Sequence, residues 1–97
     1  MLSNVYRFEF GDAVAIEEIE GTLLLALAAA EDLHGSQVRL DGEHAFDAVL
    51  KVCVINAATA VGRDLNKLFA GFLAREFGAA AFHVERLAGG QPASTAV

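Results

Sequence analysis

The fold is decided by residues 5–35, VYRFEFGDAVAIEEIEGTLLLALAAAEDLHG. In the first six of these residues Tyr6, Phe8 and Phe10 share one face, and charged residues separate them. This period-two alternation predicts a half-buried β-strand. The pattern then changes at Gly11, and the apolar residues beyond it have the spacing of an amphipathic helix.

Helical spacing continues from residue 12 to residue 35. Asp12 is predicted to cap the helix N-terminus, and Gly35 to end the helix in a left-handed conformation. The predicted core stripe recurs at every third or fourth position and consists of Ile16, Ile19, Leu23, Leu27 and Ala30.

The middle of the chain predicts two strands. Residues 36–41 alternate, with Val38 and Leu40 inward, and Asp41-Gly42 is a hairpin signal. Residues 49–55 are β-branched and apolar on both faces, which is typical of a central strand.

A second helix and a last strand complete the pattern. Asn56 or Thr59 is predicted to cap this helix, and Gly78 to close it. Its predicted buried stripe consists of Val61, Leu65, Leu68, Phe69, Phe72 and Leu73. Residues 82–87 alternate again, with Phe82 and Val84 inward.

The order β-α-β-β-α-β in 97 residues predicts an α+β fold, a two-layer sandwich of the ferredoxin-like type. We expect a four-stranded antiparallel sheet with both helices on one face. Residues 1–88 are predicted to form the single domain, and residues 89–97 a flexible C-terminal tail. So widely used a fold does not indicate a chemistry.

Composition restricts the class of protein. Thirteen acidic and seven basic residues give a net charge of −6, which disfavours nucleic acid as a partner because its affinity depends on phosphate neutralisation. The most apolar run, residues 22–30, is much shorter than the ~20 residues of a membrane span. A single cysteine, Cys53, excludes an intramolecular disulfide and favours the reducing cytoplasm.

Motifs for catalysis are not found. The glycines do not form a phosphate-binding loop, no serine has the setting of a hydrolase nucleophile, and no cofactor is expected. The acidic segment from Asp41 to Asp47 lacks the ligand periodicity of a calcium loop, so no metal is expected either.

Cys53 is the one candidate nucleophile. We expect its side chain on the open face of the sheet, away from the helices, as a small apolar filler. The same open face is predicted to carry Arg7, Glu9, Gln37, Arg39, Lys51, Cys53, His83 and Glu85, with Val5, Val49 and Ile55. Arg7, Lys51, Cys53 and His83 form the candidate ligand site on this face.

Helix one suggests an interface. Opposite its core stripe, where a surface helix normally carries charge, the sequence has four small or apolar residues, Gly21, Leu24, Leu25 and Ala28. A contiguous strip of this kind is typical of a contact surface. The sequence therefore predicts a small self-associating interaction module, a homodimer with no catalysis of its own and with scope for another protein partner. The alternative is a small-molecule-binding or enzymatic domain with its site at a dimer cleft over the open sheet face.

Overall fold

A computed structural model of the chain describes residues 4–87, so the predicted tail at 89–97 lies outside the described residues. The main elements follow in the order β1 (Val5–Phe10), α1 (Ile16–His34), α2 (Val38–Asp41), β2 (His44–Asp47), β3 (Val52–Asn56), α3 (Ala60–Phe77) and β4 (Phe82–Arg86). Short 3₁₀ turns at Gly35–Gln37 and Ala79–Ala81 precede α2 and β4.

The four strands form one sheet in the order β2-β3-β1-β4, and all neighbours are antiparallel. Strand β3 therefore lies between β1 and β2, which run parallel to each other. The prediction of an α+β chain with a four-stranded antiparallel sheet is confirmed.

Strand β1 shows why the alternating pattern at 5–10 is informative. Phe8 is completely buried, Tyr6 and Phe10 pack against the core, and Arg7 and Glu9 lie on the other face. The Phe8 ring lies 4.9 Å from that of Phe69 on α3, measured between centroids. The Phe10 ring lies 6.2 Å from the same ring, so two aromatic contacts join β1 to α3.

Helix α1 begins later than predicted. Its N-cap position is Ala15, which makes no side-chain capping bond, so the prediction of Asp12 as cap is wrong. The reason is a turn in which the Val14 N–H donates to the Gly11 carbonyl, placing Val14 in the core. Gly35 ends α1 with a φ of 65°, as predicted.

Helix α3 agrees closely with the prediction from the sequence. The Thr59 side chain accepts a hydrogen bond from the Gly62 N–H at 2.9 Å, and Gly78 ends the helix with a φ of 86°. The buried side of α3 contains Val61, Leu65, Phe69 and Leu73.

The prediction for residues 36–41 is wrong. These residues form a 3₁₀ turn and the short helix α2, so Gln37 and Arg39 do not lie on the sheet. Gln37 donates to the Asp41 carboxylate four residues on, a pairing that helical geometry allows. The alternation in this segment rests on two apolar residues, Val38 and Leu40, which also suit a helical turn.

The predicted position of the hairpin turn is also wrong. The turn spans residues 48–51 between β2 and β3, where the Asp47 carboxylate accepts from the Leu50 N–H at 3.0 Å. Lys51 has a φ of 55°, and Val49 is 92% exposed. The predicted strand at 49–55 therefore begins at Val52.

Candidate functional site

Four residues on α1 form one exposed surface, which we call the outer strip: Gly21, Leu24, Leu25 and Ala28. Their spacing of three, one and three residues places them on one side of a helix. Leu24 is 66% and Leu25 63% exposed. The opposite side of α1 holds Ile19, Leu23, Ala26 and Ala30 in the core.

A cleft lies beside Leu24, between α1 and the segment that leads into β2. Its lining from α1 includes Leu27 and Ala28, and its opposite wall includes Val38 and His44. A second concavity continues from Leu24 to Phe46 on β2. The apolar surface of α1 therefore continues to the edge of the sheet.

A groove lies on the other side of the strip, between α1 and α3. Leu25 and Thr22 line it from α1, and Phe72, Arg75 and Glu76 from α3. Leu25 thus has an aromatic ring and two opposite charges beside it.

The wall of the first cleft is missed by sequence reasoning, because residues 36–41 are predicted as a strand. The Gln37–Asp41 spacing of four residues is the available signal, and it favours a helical turn.

The open sheet face carries two cross-strand pairs in which a carboxylate lies opposite a basic side chain. Arg7 lies opposite Glu85 on β4, and Glu9 lies opposite His83. Arg7 also forms an ion pair with Glu9 at 3.2 Å. Toward β2 this face becomes aliphatic, with Val54 beside Ala45.

Cys53 does not lie on the open face, so that part of the prediction is wrong. It pairs with Phe8 in the sheet register, is completely buried, and belongs to the core that the helices share. Ile55 lies on the same inner face. The prediction counts Lys51 as a strand residue with its side chain on the same face as Cys53. Lys51 instead lies in the turn with a positive φ, so the alternation does not extend from Lys51 to Cys53.

Burial raises the pKa of the Cys53 thiol to about 12, because the low-dielectric core disfavours the thiolate. A nucleophilic cysteine requires the opposite shift, toward the thiolate. Its side chain therefore has the chemistry of an apolar filler.

The other members of the candidate ligand site are also separated. The Lys51 ammonium donates to the Gly11 carbonyl at 3.0 Å, at the end of β1. Arg7 and His83 remain on the open face, but Cys53 lies on the opposite one. These four residues therefore do not form one site.

The other two histidines each have a structural partner. Nε2 of His34 lies 2.7 Å from the Asp64 carboxylate, which links the end of α1 to α3. Nδ1 of His44 lies 2.8 Å from the Gly42 carbonyl. Within residues 4–87, no three histidine, cysteine or acidic side chains are grouped to hold a metal ion.

Comparison with protein-family models, with curated proteins and with solved structures finds no match to this chain. In the part of the chain that the structure describes, no helix has the length and apolarity needed to cross a membrane.

Proposed function

We propose that this protein is a self-associating interaction module of the cytoplasm, a homodimer formed through the outer strip, with no catalysis of its own. The observation that carries the proposal is the exposure of two adjacent leucines, Leu24 and Leu25, in the middle of a 19-residue helix. No charged residue occurs from 21 to 30. Burying this strip against another surface removes apolar area from water without desolvating a charge.

The proposal includes a two-layer, ferredoxin-like sandwich with both helices on one face of the sheet. The strand order and the antiparallel pairing support it. So does the core, in which residues of α1 and α3 join Phe8, Cys53 and Ile55 in one cluster. In this arrangement the outer strip faces away from the sheet.

A second copy of the chain fits the strip because the strip is symmetric along the helix. In either direction along the chain, its order is small, large, large, small. A twofold axis midway between Leu24 and Leu25 therefore places these leucines together and Gly21 opposite Ala28 of the second copy. The small residues at both ends allow the helices to approach closely. Self-complementarity of this kind is what a twofold interface requires.

The surroundings of the strip supply further area. A standard interface buries ~800 Å² per partner, which is more than four small or medium side chains provide. The cleft beside Leu24 and the groove beside Leu25 adjoin the strip on both sides, and their linings combine apolar side chains with charged ones, among them Glu31 and Arg39 in the cleft. Arg75 and Glu76 at the groove offer both charges to the rim of a twofold contact.

Charges at the helix ends oppose the contact. The same axis brings Glu18 toward Glu31 of the second copy, in a chain that already carries a charge of −6. Salt screens repulsion between exposed charges. We therefore expect the dimer to tighten as ionic strength rises, which would also distinguish it from a contact held by ion pairs.

Light scattering on the full chain at micromolar concentration tests the proposal. The wild type is expected at twice the chain mass of 10.2 kDa. Leu25→Glu, which places a charge at the centre of the contact, is expected at the monomer mass with an unchanged circular dichroism spectrum.

Leu50→Glu is the matched control. Leu50 is 66% exposed, much like Leu25, but lies in the β2–β3 turn, so this variant should remain dimeric. A monomeric wild type contradicts self-association. A dimer that Leu25→Glu leaves intact contradicts the outer strip as its interface.

A further inference from the structure

Strand β4 forms one edge of the sheet, and its register shows which backbone groups face outward. The Leu87 N–H donates to Val5, and the Gly11 N–H donates to Ala81. In an antiparallel pair the bonded positions alternate, so the odd-numbered residues of β4 bond to β1. The N–H and C=O groups of Phe82 and Val84 are therefore directed away from the sheet.

We propose that β4 pairs with β4 of a second copy, antiparallel, about a twofold axis at Val84. The two sheets then continue into one. Val84 donates to and accepts from Val84 of the second copy, satisfying the groups at the centre of the edge. This contact goes beyond the proposed function and does not depend on it, because it uses a surface separate from the outer strip.

Charge complementarity selects the second copy as the occupant. The axis at Val84 places His83 opposite Glu85 of the second copy, and the symmetry repeats this pair. A histidine ring offers an N–H donor whether neutral or charged. Within each copy Glu85 already faces Arg7, and His83 faces Glu9. Each row across the joined sheets then alternates a donor or positive side chain with a carboxylate, from Arg7 through Glu85 and His83 to Glu9.

The neighbouring registers lack this complementarity. Outward-facing N–H and C=O groups of one strand must lie opposite those of the other, so the partner of each residue can change only by two positions at a time. A shift in one direction places His83 opposite His83, and in the other Glu85 opposite Glu85. Two carboxylates directly opposite each other destabilise a strand pair, and the register with two opposed histidines leaves Glu85 opposite Ala81, which has no side-chain donor, so the register at Val84 is preferred.

The other edge of the sheet does not pair with itself in the same way. The Asn56 N–H donates to Glu43, so in β2 the outward-facing groups belong to His44 and Phe46. The register that pairs these two residues across a twofold axis places Glu43 opposite Asp47 of the second copy. Two carboxylates then face each other on each side, so this register of β2 is disfavoured.

Amide hydrogen exchange tests the pairing directly. The full chain carrying Leu25→Glu lacks the proposed contact through the outer strip. Exchange of this variant, measured at protein concentrations up to the near-millimolar range, then reports on β4 alone. The Val84 amide is expected to exchange more slowly as concentration rises, while the His44 and Phe46 amides on β2 remain fast. Exchange at Val84 that is fast at every concentration, or slow at every concentration, overturns the proposal.

A charge exchange tests the register. Glu85→Lys alone and His83→Glu alone should each raise the dissociation constant by about two- to thirtyfold, since each disturbs two cross-strand pairs. The double variant His83→Glu, Glu85→Lys restores opposite charges across the axis, and its dissociation constant should return toward that of the parent. Thermal unfolding of each variant verifies that the altered pairs with Arg7 and Glu9 leave the fold intact.

Glu43→Lys on the β2 edge is the matched control and should leave the association unchanged. A double variant as weak as the single ones, or a response to Glu43→Lys of the same size, overturns the register at Val84. If the wild type is monomeric at micromolar concentration but the Val84 amide becomes protected near millimolar, the proposed function fails and the β4 contact stands.

Discussion

Helices α1 and α3 have 19 and 18 residues, and both contribute buried residues to the same core, yet their solvent-facing sides differ. The exposed residues of α3 include Arg63, Lys67, Arg75 and Glu76, whereas the middle of α1 exposes the uncharged outer strip. This difference in charge on the exposed sides of the two helices supports the proposed contact through α1 rather than through α3.

The N-termini of the two helices also differ, in how they are capped. Helix α3 starts with a side-chain cap from Thr59 and with Gly62 packed closely against the preceding strand. Helix α1 starts at Ile16, and Ala15 at its N-cap position provides no side-chain cap. The start of α3 is thus specified by local sequence, and the position of α1 depends more on its buried stripe and on the turn that buries Val14.

The largest effect is expected from Gly62→Ala. A Cβ at this position would overlap the backbone carbonyl of Asn56, and Asn56 is held by its bond to Glu43. Overpacking and the loss of the Thr59 cap should together cost about 3–5 kcal/mol. Urea unfolding measures this cost. Gly71→Ala in the same helix is the control, since its Cβ meets nothing within 4 Å; equal effects would contradict the close packing at Gly62.

The two sides of α1 provide the next comparison. Leu23 is 6% exposed and Leu25 63%. Leu23→Ala should lower the free energy of unfolding by about 2–5 kcal/mol, and Leu25→Ala by no more than about 0.5 kcal/mol. Urea unfolding of both variants at a protein concentration below the dimer dissociation constant measures these values. A large effect of Leu25→Ala in the monomer would mean that the outer strip belongs to the core.

The long periodic segments are predictable because their pattern has many repeats. The sequence locates helix α3 through its buried stripe and its end at Gly78, restricts its cap to Asn56 or Thr59, and locates the inward aromatic face of β1. The stripe of α3 and the aromatic face of β1 each repeat one signal several times, and the tertiary contacts agree with it.

The segment from 36 to 51 is not predictable in the same way. Val38 and Leu40 suit a strand as well as a helical turn, and Leu40 is in fact 78% exposed. The conformation of Lys51, with its positive φ and its bond to Gly11, depends on β1 far away in sequence. The predicted face of Cys53 depends on the conformation of Lys51. The composition of the candidate ligand site depends on it too, because that site includes both residues.

The complete burial of Cys53 predicts a specific alkaline response. Below pH ~8.5 the Cys53 thiol is protonated in both the folded and the unfolded chain. Above it, the unfolded chain releases the proton while the folded chain holds it, since burial raises the folded pKa to about 12. The free energy of unfolding should therefore fall with rising pH in this range, by about 1.4 kcal/mol per pH unit.

Cys53→Ala removes this response. The variant should be less stable than the wild type near neutral pH because of the cavity it leaves, and the difference should shrink as the pH rises toward the folded pKa of about 12. Denaturant unfolding across this range measures both proteins. A constant difference would show that the thiol ionises in the folded chain, and would contradict its burial in the core.

The smallest expected effect comes from replacing one glycine in each helix, and it compares the exposed sides of α1 and α3 directly. Gly21 in α1 and Gly71 in α3 are both internal to a helix, and a Cβ at either meets nothing within 4 Å. Replacement of each by alanine should raise the free energy of unfolding of the monomer by about 0.8–1 kcal/mol through helix propensity. In the proposed dimer, however, Gly21 lies where the second α1 approaches, and an added methyl group should weaken association by about fivefold, or about 1 kcal/mol. Sedimentation equilibrium should then show a raised dissociation constant for Gly21→Ala and an unchanged one for Gly71→Ala. In thermal unfolding at protein concentrations below the dissociation constant, both variants should be more stable than the wild type. Equal dissociation constants for the two variants would place Gly21 outside the interface and leave the outward sides of α1 and α3 equivalent in association.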